Sequence, residues 1–234
     1  MTAPRYAIYH APPIGSPWWR FGAGWLGRDE ARDVPLTHPA LAGVPPERLA
    51  ALTAQPRRYG FHATLKAPFR LRKGISESML LQRVAGLAGL LRAAPLGPLL
   101  PVWMEGFIAL TPVPRQDAVD ALAERCVRDL DDLRAPMTDA ELARRHPHRL
   151  DPRGRELLAQ YGYPHVLERF RFHMTLSDVV DAPTAGVLLL RAREAVDALQ
   201  ASTSGLPRLD RLCVFCQHHA EAPFVRIHDE ELAP

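Results

Sequence analysis

The chain has 234 residues, 47% hydrophobic and 24% charged, with a net charge of +3, the balance of an ordinary soluble globular protein long enough to bury a core. The near-even charge argues against a nucleic-acid-binding surface, and three cysteines (Cys126, Cys213, Cys216) exclude a disulfide framework. No apolar run approaches the ~20 residues that span a bilayer, and Met1 to Arg5 carries no apolar leader, so a cytoplasmic protein with no membrane association is expected.

In chain order, Arg5 to His10 alternates as a strand and is ended by Ala11-Pro12-Pro13. Gly15 to Gly27, rich in glycine and tryptophan, reads as a loop. Arg28 to Arg32 and Pro46 to Ala54 read as short helices, the second with proline at its start. A strand is predicted over 58–71. Apolar residues at helical spacing predict a helix from Ser76, an N-cap, to Ala93. Trp103 to Val113 reads as a strand and Arg115 to Leu133 as an amphipathic helix, followed by shorter helices over 138–145 and 154–161. A second strand is predicted over 170–180, then a long helix from Pro183 to Leu199. Two closing strands over 211–217 and 224–227 suggest a hairpin. Strand–helix–strand units thus occur twice without a low-complexity linker between them. The expectation is one bilobal α+β domain over 1–234, with pseudo-twofold organisation and two antiparallel sheets lining a central cleft, helices outside.

Within the two predicted strands, Phe61-His62-Ala63-Thr64-Leu65 and Phe172-His173-Met174-Thr175-Leu176 repeat one pattern, F-H-x-T-L. Residues two apart on a strand share a face, roughly 6.5–7 Å apart. His62 and Thr64 therefore point one way against an apolar backing, and His173 and Thr175 repeat the arrangement. Histidine titrates near neutral pH, so a pair can act as base and acid on a phosphodiester, while threonine hydroxyls bind the phosphate oxygens. Lys66 and Arg171 fall on the histidine faces by the same alternation and are candidate auxiliary cations. Tyr6 and Arg20 complete the auxiliary candidates; Tyr6 and Tyr9 are three apart, so only one faces the cleft. No metal and no cofactor are called for.

The paired H-x-T motifs resemble those of the 2H phosphoesterase superfamily over nearly the whole chain. Arg5-Tyr6-Ala7-Ile8-Tyr9, Trp19-Arg20-Phe21-Gly22 and Arg58 to Phe69 look like the branch encoded near phosphonate-degradation genes. The resemblance implies a 2H-phosphoesterase-like fold, with His62 and His173 as the acid/base pair and Thr64 and Thr175 as phosphate ligands. The implied function is metal-independent hydrolysis of a small cyclic phosphate ester, such as a ribose cyclic phosphate from phosphonate breakdown. An RNA 2′,3′-cyclic phosphodiesterase or ligase-type enzyme and a non-catalytic phosphate-metabolite binder are the alternatives. A small phosphate ester is the expected partner, with nucleic acid less favoured.

Other features weigh less. Cys213-x-x-Cys216 with His218-His219 suggests zinc, but on a strand residues 213 and 216 face opposite ways, so buried structural cysteines are expected. His146-Pro147-His148 reads as a polar turn. Trp18, Trp19, Phe21 and Trp25 either pack on the core or shape a lid. Tyr161 to His165 could form a loop at the cleft mouth, and Gln217 could face the site.

Overall fold

The computed structural model describes residues 3–234; Met1 and Thr2, part of the segment read as leaderless, lie outside the described residues. The first half comprises β1 (Arg5–His10), α1 (Pro17–Leu26), β2 (Arg28–Asp29), β3 (Val34–Pro35), α2 (Pro46–Leu52), α3 (Ala54–Arg57), β4 (Ala63–Phe69), α4 (Glu77–Ala88), β5 (Ala94–Pro95), β6 (Leu99–Met104) and β7 (Phe107–Pro112). The second half adds α5 (Asp117–Asp129), α6 (Asp139–Arg144), α7 (Pro152–Tyr161), β8 (Met174–Thr175), α8 (Ala182–Ser202), β9 (Arg208–Leu209), β10 (Arg211–Gln217) and β11 (Val225–Glu231). The class is α+β. One antiparallel sheet has the order β11-β10-β1-β4, another β6-β7-β8. One F-H-x-T-L segment enters an edge strand of each sheet, β4 (Ala63–Phe69, shorter than the expected 58–71) in the first and β8 in the second, with the Phe-His pair just ahead of the strand in both. α4 packs against β10 and β11, α5 against β4, and α8 against β6 and β7. One apolar cluster takes residues from both sheets, including Ile8, Phe61, Leu65, Ile108, Met174 and Leu176. Among the described residues no helix is long and apolar enough to cross a membrane.

Four local expectations are corrected. The 15–27 segment contains a helix, not a loop. The Ser16 side chain accepts from the Trp19 amide, Pro17 occupies the first turn, and Gly27 at φ 74° closes the helix in the left-handed region. Internal glycines cost about 1 kcal/mol each in a helix. Gly22 offsets that by close approach: a Cβ there would lie 1.9 Å from the Phe61 ring. Trp25, fully buried, donates its indole N–H to the Leu176 carbonyl at 2.9 Å. Helix α1 therefore packs behind both motifs at once. The 28–32 segment, read as a helix, instead supplies β2, which pairs with β3.

Trp103 to Val113 is not one strand but the hairpin β6–β7, which turns at Glu105 (φ 53°) and Gly106 (φ 97°). Two successive left-handed residues match the twist of a tight hairpin. The second motif strand shrinks from the expected 170–180 to Met174–Thr175. Beyond Thr175 the backbone is used elsewhere. The Leu176 carbonyl takes Trp25, the Ser177 hydroxyl accepts from the Ile108 amide, and the Asp178 amide donates to Leu52.

Candidate active site

Two cavities, of about 400 and 500 Å³, meet at Thr64, Ala67 and Tyr163. His62 lines the first and His173 the second, with Thr64 in the wall of both. Each histidine is held in the same way. The His62 Nδ1 lies 2.9 Å from the carbonyl of Gly60, and the His173 Nδ1 lies 2.8 Å from that of Arg171, in both cases two residues back. A carbonyl oxygen can only accept, so each Nδ1 carries a proton, and in the neutral form of either ring Nε2 is the unprotonated nitrogen. The His62 Nε2 is 3.2 Å from the Thr64 hydroxyl, which donates to it. The Tyr9 ring stacks on His62 at 3.8 Å between centroids, and Phe107 lies 5.8 Å from His173. These aromatic contacts restrict each imidazole.

Burial lowers the His62 pKa to about 4, opposed by the Gly60 hydrogen bond and reinforced by the nearby His173. The ring is thus neutral at pH 7. Burial also lowers His10, 2% exposed at the end of β1, to about 4. For both, the unfolded chain binds protons that the folded chain refuses between the unfolded value near 6.5 and about 4. Stability contributed by the neutral rings is present above pH 6.5 and is lost as the pH falls toward 4. Urea midpoints should therefore drop between pH 7 and pH 4.5, and His10→Gln should flatten that dependence. A pH-independent midpoint over this window would contradict the burial of neutral imidazoles.

The auxiliary candidates separate. Lys66 does not share the cleft with His62. Thr64 pairs with Tyr9 but Lys66 with Ile8, so Leu65 is an extra residue in β4. A bulge of this kind reverses the alternation beyond it. Lys66 is consequently 3% exposed, with its Nζ 2.8 Å from Asp131 and 3.1 Å from the Val127 carbonyl, and Ala67 takes the cleft position. Tyr6 also points away, donating its hydroxyl to Glu77, and Tyr9 is the tyrosine that faces the cavity. Arg20 is exposed and bonds the Gly15 carbonyl. Arg171 lies at the second cavity, paired at 3.6 Å with Glu105. Thr175 sits on β8 opposite Ala109, half-buried, and lines neither of the two cavities. Residues 161–165 do reach the cleft mouth, where Tyr163 borders both cavities. Gln217 accepts from Arg5, itself a wall residue.

Cys213 and Cys216 are free, buried and on opposite faces of β10, in different apolar clusters. Burial raises both thiols, Cys216 to about 11. No group of three or more metal-ligating side chains occurs among the described residues. Sequence reasoning set Tyr6 against Tyr9 and favoured Tyr6 as the auxiliary candidate, and it missed the arginines of the first cavity. For Tyr9 a signal existed, because Ala7, Tyr9 and Ala11 share a strand face. The arginines come from positions 5, 70, 134, 144 and 145, too scattered for any local pattern.

The family model described as "Protein of unknown function (DUF1045)" matches residues 64–225. A protein of Janthinobacterium sp. (strain Marseille) named ribose 1,5-bisphosphate phosphokinase PhnN is 40% identical over 222 residues, 94% of this chain and 49% of the relative. One of the same name from Laribacter hongkongensis (strain HLHK9) is 39% identical over 207 residues, 86% of this chain and 47% of the relative. The chain spans about half the length of the curated relatives it matches. Those names describe a kinase and not a hydrolase, which overturns the expectation of a cyclic phosphodiesterase in both its reaction and its enzyme class. The chain belongs to the family of proteins of unknown function DUF1045.

Proposed function

We propose that the cleft binds a phosphorylated ribose, and that it serves the phosphoryl-transfer activity for which the relatives are named. The observation that carries this reading is the matched pair of imidazoles, each with Nδ1 fixed on a backbone carbonyl and Nε2 left for a ligand. In this reading the phosphate group lies between His62 and His173, with the Thr64 hydroxyl turning from Nε2 to a phosphate oxygen. Thr175 supports the second segment rather than touching the ligand. The sequence contains no G-x-x-x-x-G-K-[ST] segment, the loop that cradles nucleotide phosphates, so the proposal concerns the sugar-phosphate side of the reaction. The likeness to paired H-x-T proteins enters as a fold reading, two motif halves in one bilobal unit over 1–234. Three buried free thiols fit a reducing, cytoplasmic setting.

A neutral His62 must gain a proton at Nε2 before it can donate to a phosphate oxygen, and the incoming negative charge favours that gain. Calorimetric titration with ribose 1,5-bisphosphate in buffers of different ionisation enthalpy should show saturable binding with net proton uptake at pH 7. The bisphosphate should also be the better-bound ligand when compared with unphosphorylated ribose. Absence of binding, or binding equal to that of ribose, would overturn the reading.

A further inference from the structure

We infer that the cavity beside His62 contains a second anion subsite, formed at Arg144 and Arg145 with Arg5 in the same wall, that takes the other phosphate of a sugar bisphosphate. This rests on the reading of the cleft as a sugar-phosphate site. Arg5, Arg70, Arg134, Arg144 and Arg145 line this cavity, against Glu141 as its one carboxylate. Glu141 is already engaged. It receives Arg70 through two bonds of 2.9 Å and the Thr138 amide at 2.7 Å. The Arg70 guanidinium holds its carboxyl down at about 2, so it stays ionised and committed to that pair. Arg134 is matched by Asp131, which also serves Lys66. Among the described residues Arg5 hydrogen-bonds the neutral amide of Gln217. Among the described residues Arg144 and Arg145 have no carboxylate partner, and Arg145 is steadied by lying 4.9 Å over the Tyr163 ring.

The second cavity behaves differently, and the contrast locates the subsite. There Arg115 pairs with Asp120, Arg169 with Asp151, and Arg171 with Glu105. Uncompensated positive charge therefore gathers on the His62 side alone. Arginine's planar fork matches a phosphate through two parallel bonds. The Thr138–Glu141 capping box and the Arg70 bridge fix α6, and so present its last turn to the cavity before any ligand arrives.

The test compares ribose 5-phosphate with ribose 1,5-bisphosphate by calorimetry at matched ionic strength. Wild type should prefer the bisphosphate by about tenfold or more, as one added charge-assisted contact implies, and the preference should weaken as salt rises. The double variant Arg144→Gln/Arg145→Gln should bring the ratio close to one while ribose 5-phosphate still binds. Arg145→Lys should restore part of the preference, since it keeps the charge and loses the fork. A preference that persists in the double variant, or none in wild type, overturns the subsite. If ribose 5-phosphate binds wild type and is lost in His62→Ala, that failure belongs to the subsite alone. If neither sugar phosphate binds wild type, both readings fail together.

Discussion

Replacing His62 or His173 by alanine is expected to weaken ribose 1,5-bisphosphate binding about ten- to hundredfold each. Hydrogen bonds to a charged group contribute about 1.5–3 kcal/mol, and 1.4 kcal/mol is a factor of ten. If both imidazoles hold one phosphate, the double variant should lose less than the product of the single losses, because the two contacts share a partner. Neither histidine ties distant elements together by hydrogen bonding: each Nδ1 bonds a carbonyl two residues back. The folded state should survive both substitutions, with His62→Ala also losing its stack on Tyr9. Circular dichroism and a calorimetric titration of the same samples check the two halves of this statement. Unchanged affinity in both single variants would refute the assigned role.

Asp131→Ala is expected to cost about 3 kcal/mol of stability, the scale for removing one partner of a buried ion pair. Lys66 has side-chain exposure of 4%, and Asp131 is its one carboxylate partner, at 2.8 Å. Burial already pushes the Lys66 ammonium below its ordinary range, and Asp131 opposes that. Burial would raise the Asp131 carboxyl, but Arg134 and Lys66 outweigh it and hold it below the usual range. Without Asp131 the lysine keeps the Val127 carbonyl, and part of the penalty is relieved when the ammonium sheds its proton. Denaturant unfolding should therefore show a larger loss at pH 6 than at pH 9. Adding Lys66→Met to Asp131→Ala should recover much of the loss, since an apolar chain of similar length fills the same space. Equal destabilisation by the single and double variants would show that the cost lies in Arg134 and the cavity wall instead.

Some of this was legible from local sequence. The spacing of His62 with Thr64 and the opposite facing of Cys213 and Cys216 depend only on the strand period. The Ser76 cap of α4 and the approximate span of α8 depend on residues within a turn or two. The reaction was not legible in the same way. A histidine and a hydroxyl on one face describe how a phosphate group could be held, and many phosphoryl chemistries share that need. The reading as a cyclic phosphodiesterase went further than those residues warrant, and relatives named as a kinase corrected it.

The sequence by itself determined the doubled F-H-x-T-L segments, the α+β class and the separation of the cysteines, because each follows from periodicity within a few residues. Only the tertiary structure decided that Lys66 leaves the cleft, since the extra residue at Leu65 is visible only in the pairing of β4 with β1. It alone placed Tyr9 on His62, and showed α1 packed behind both motifs through Gly22 and Trp25. The arginine wall depends on it entirely. Arg5, Arg70, Arg134, Arg144 and Arg145 share no local pattern, and their charges meet because chain packing brings β1, the end of β4 and the turns around α6 to one cavity.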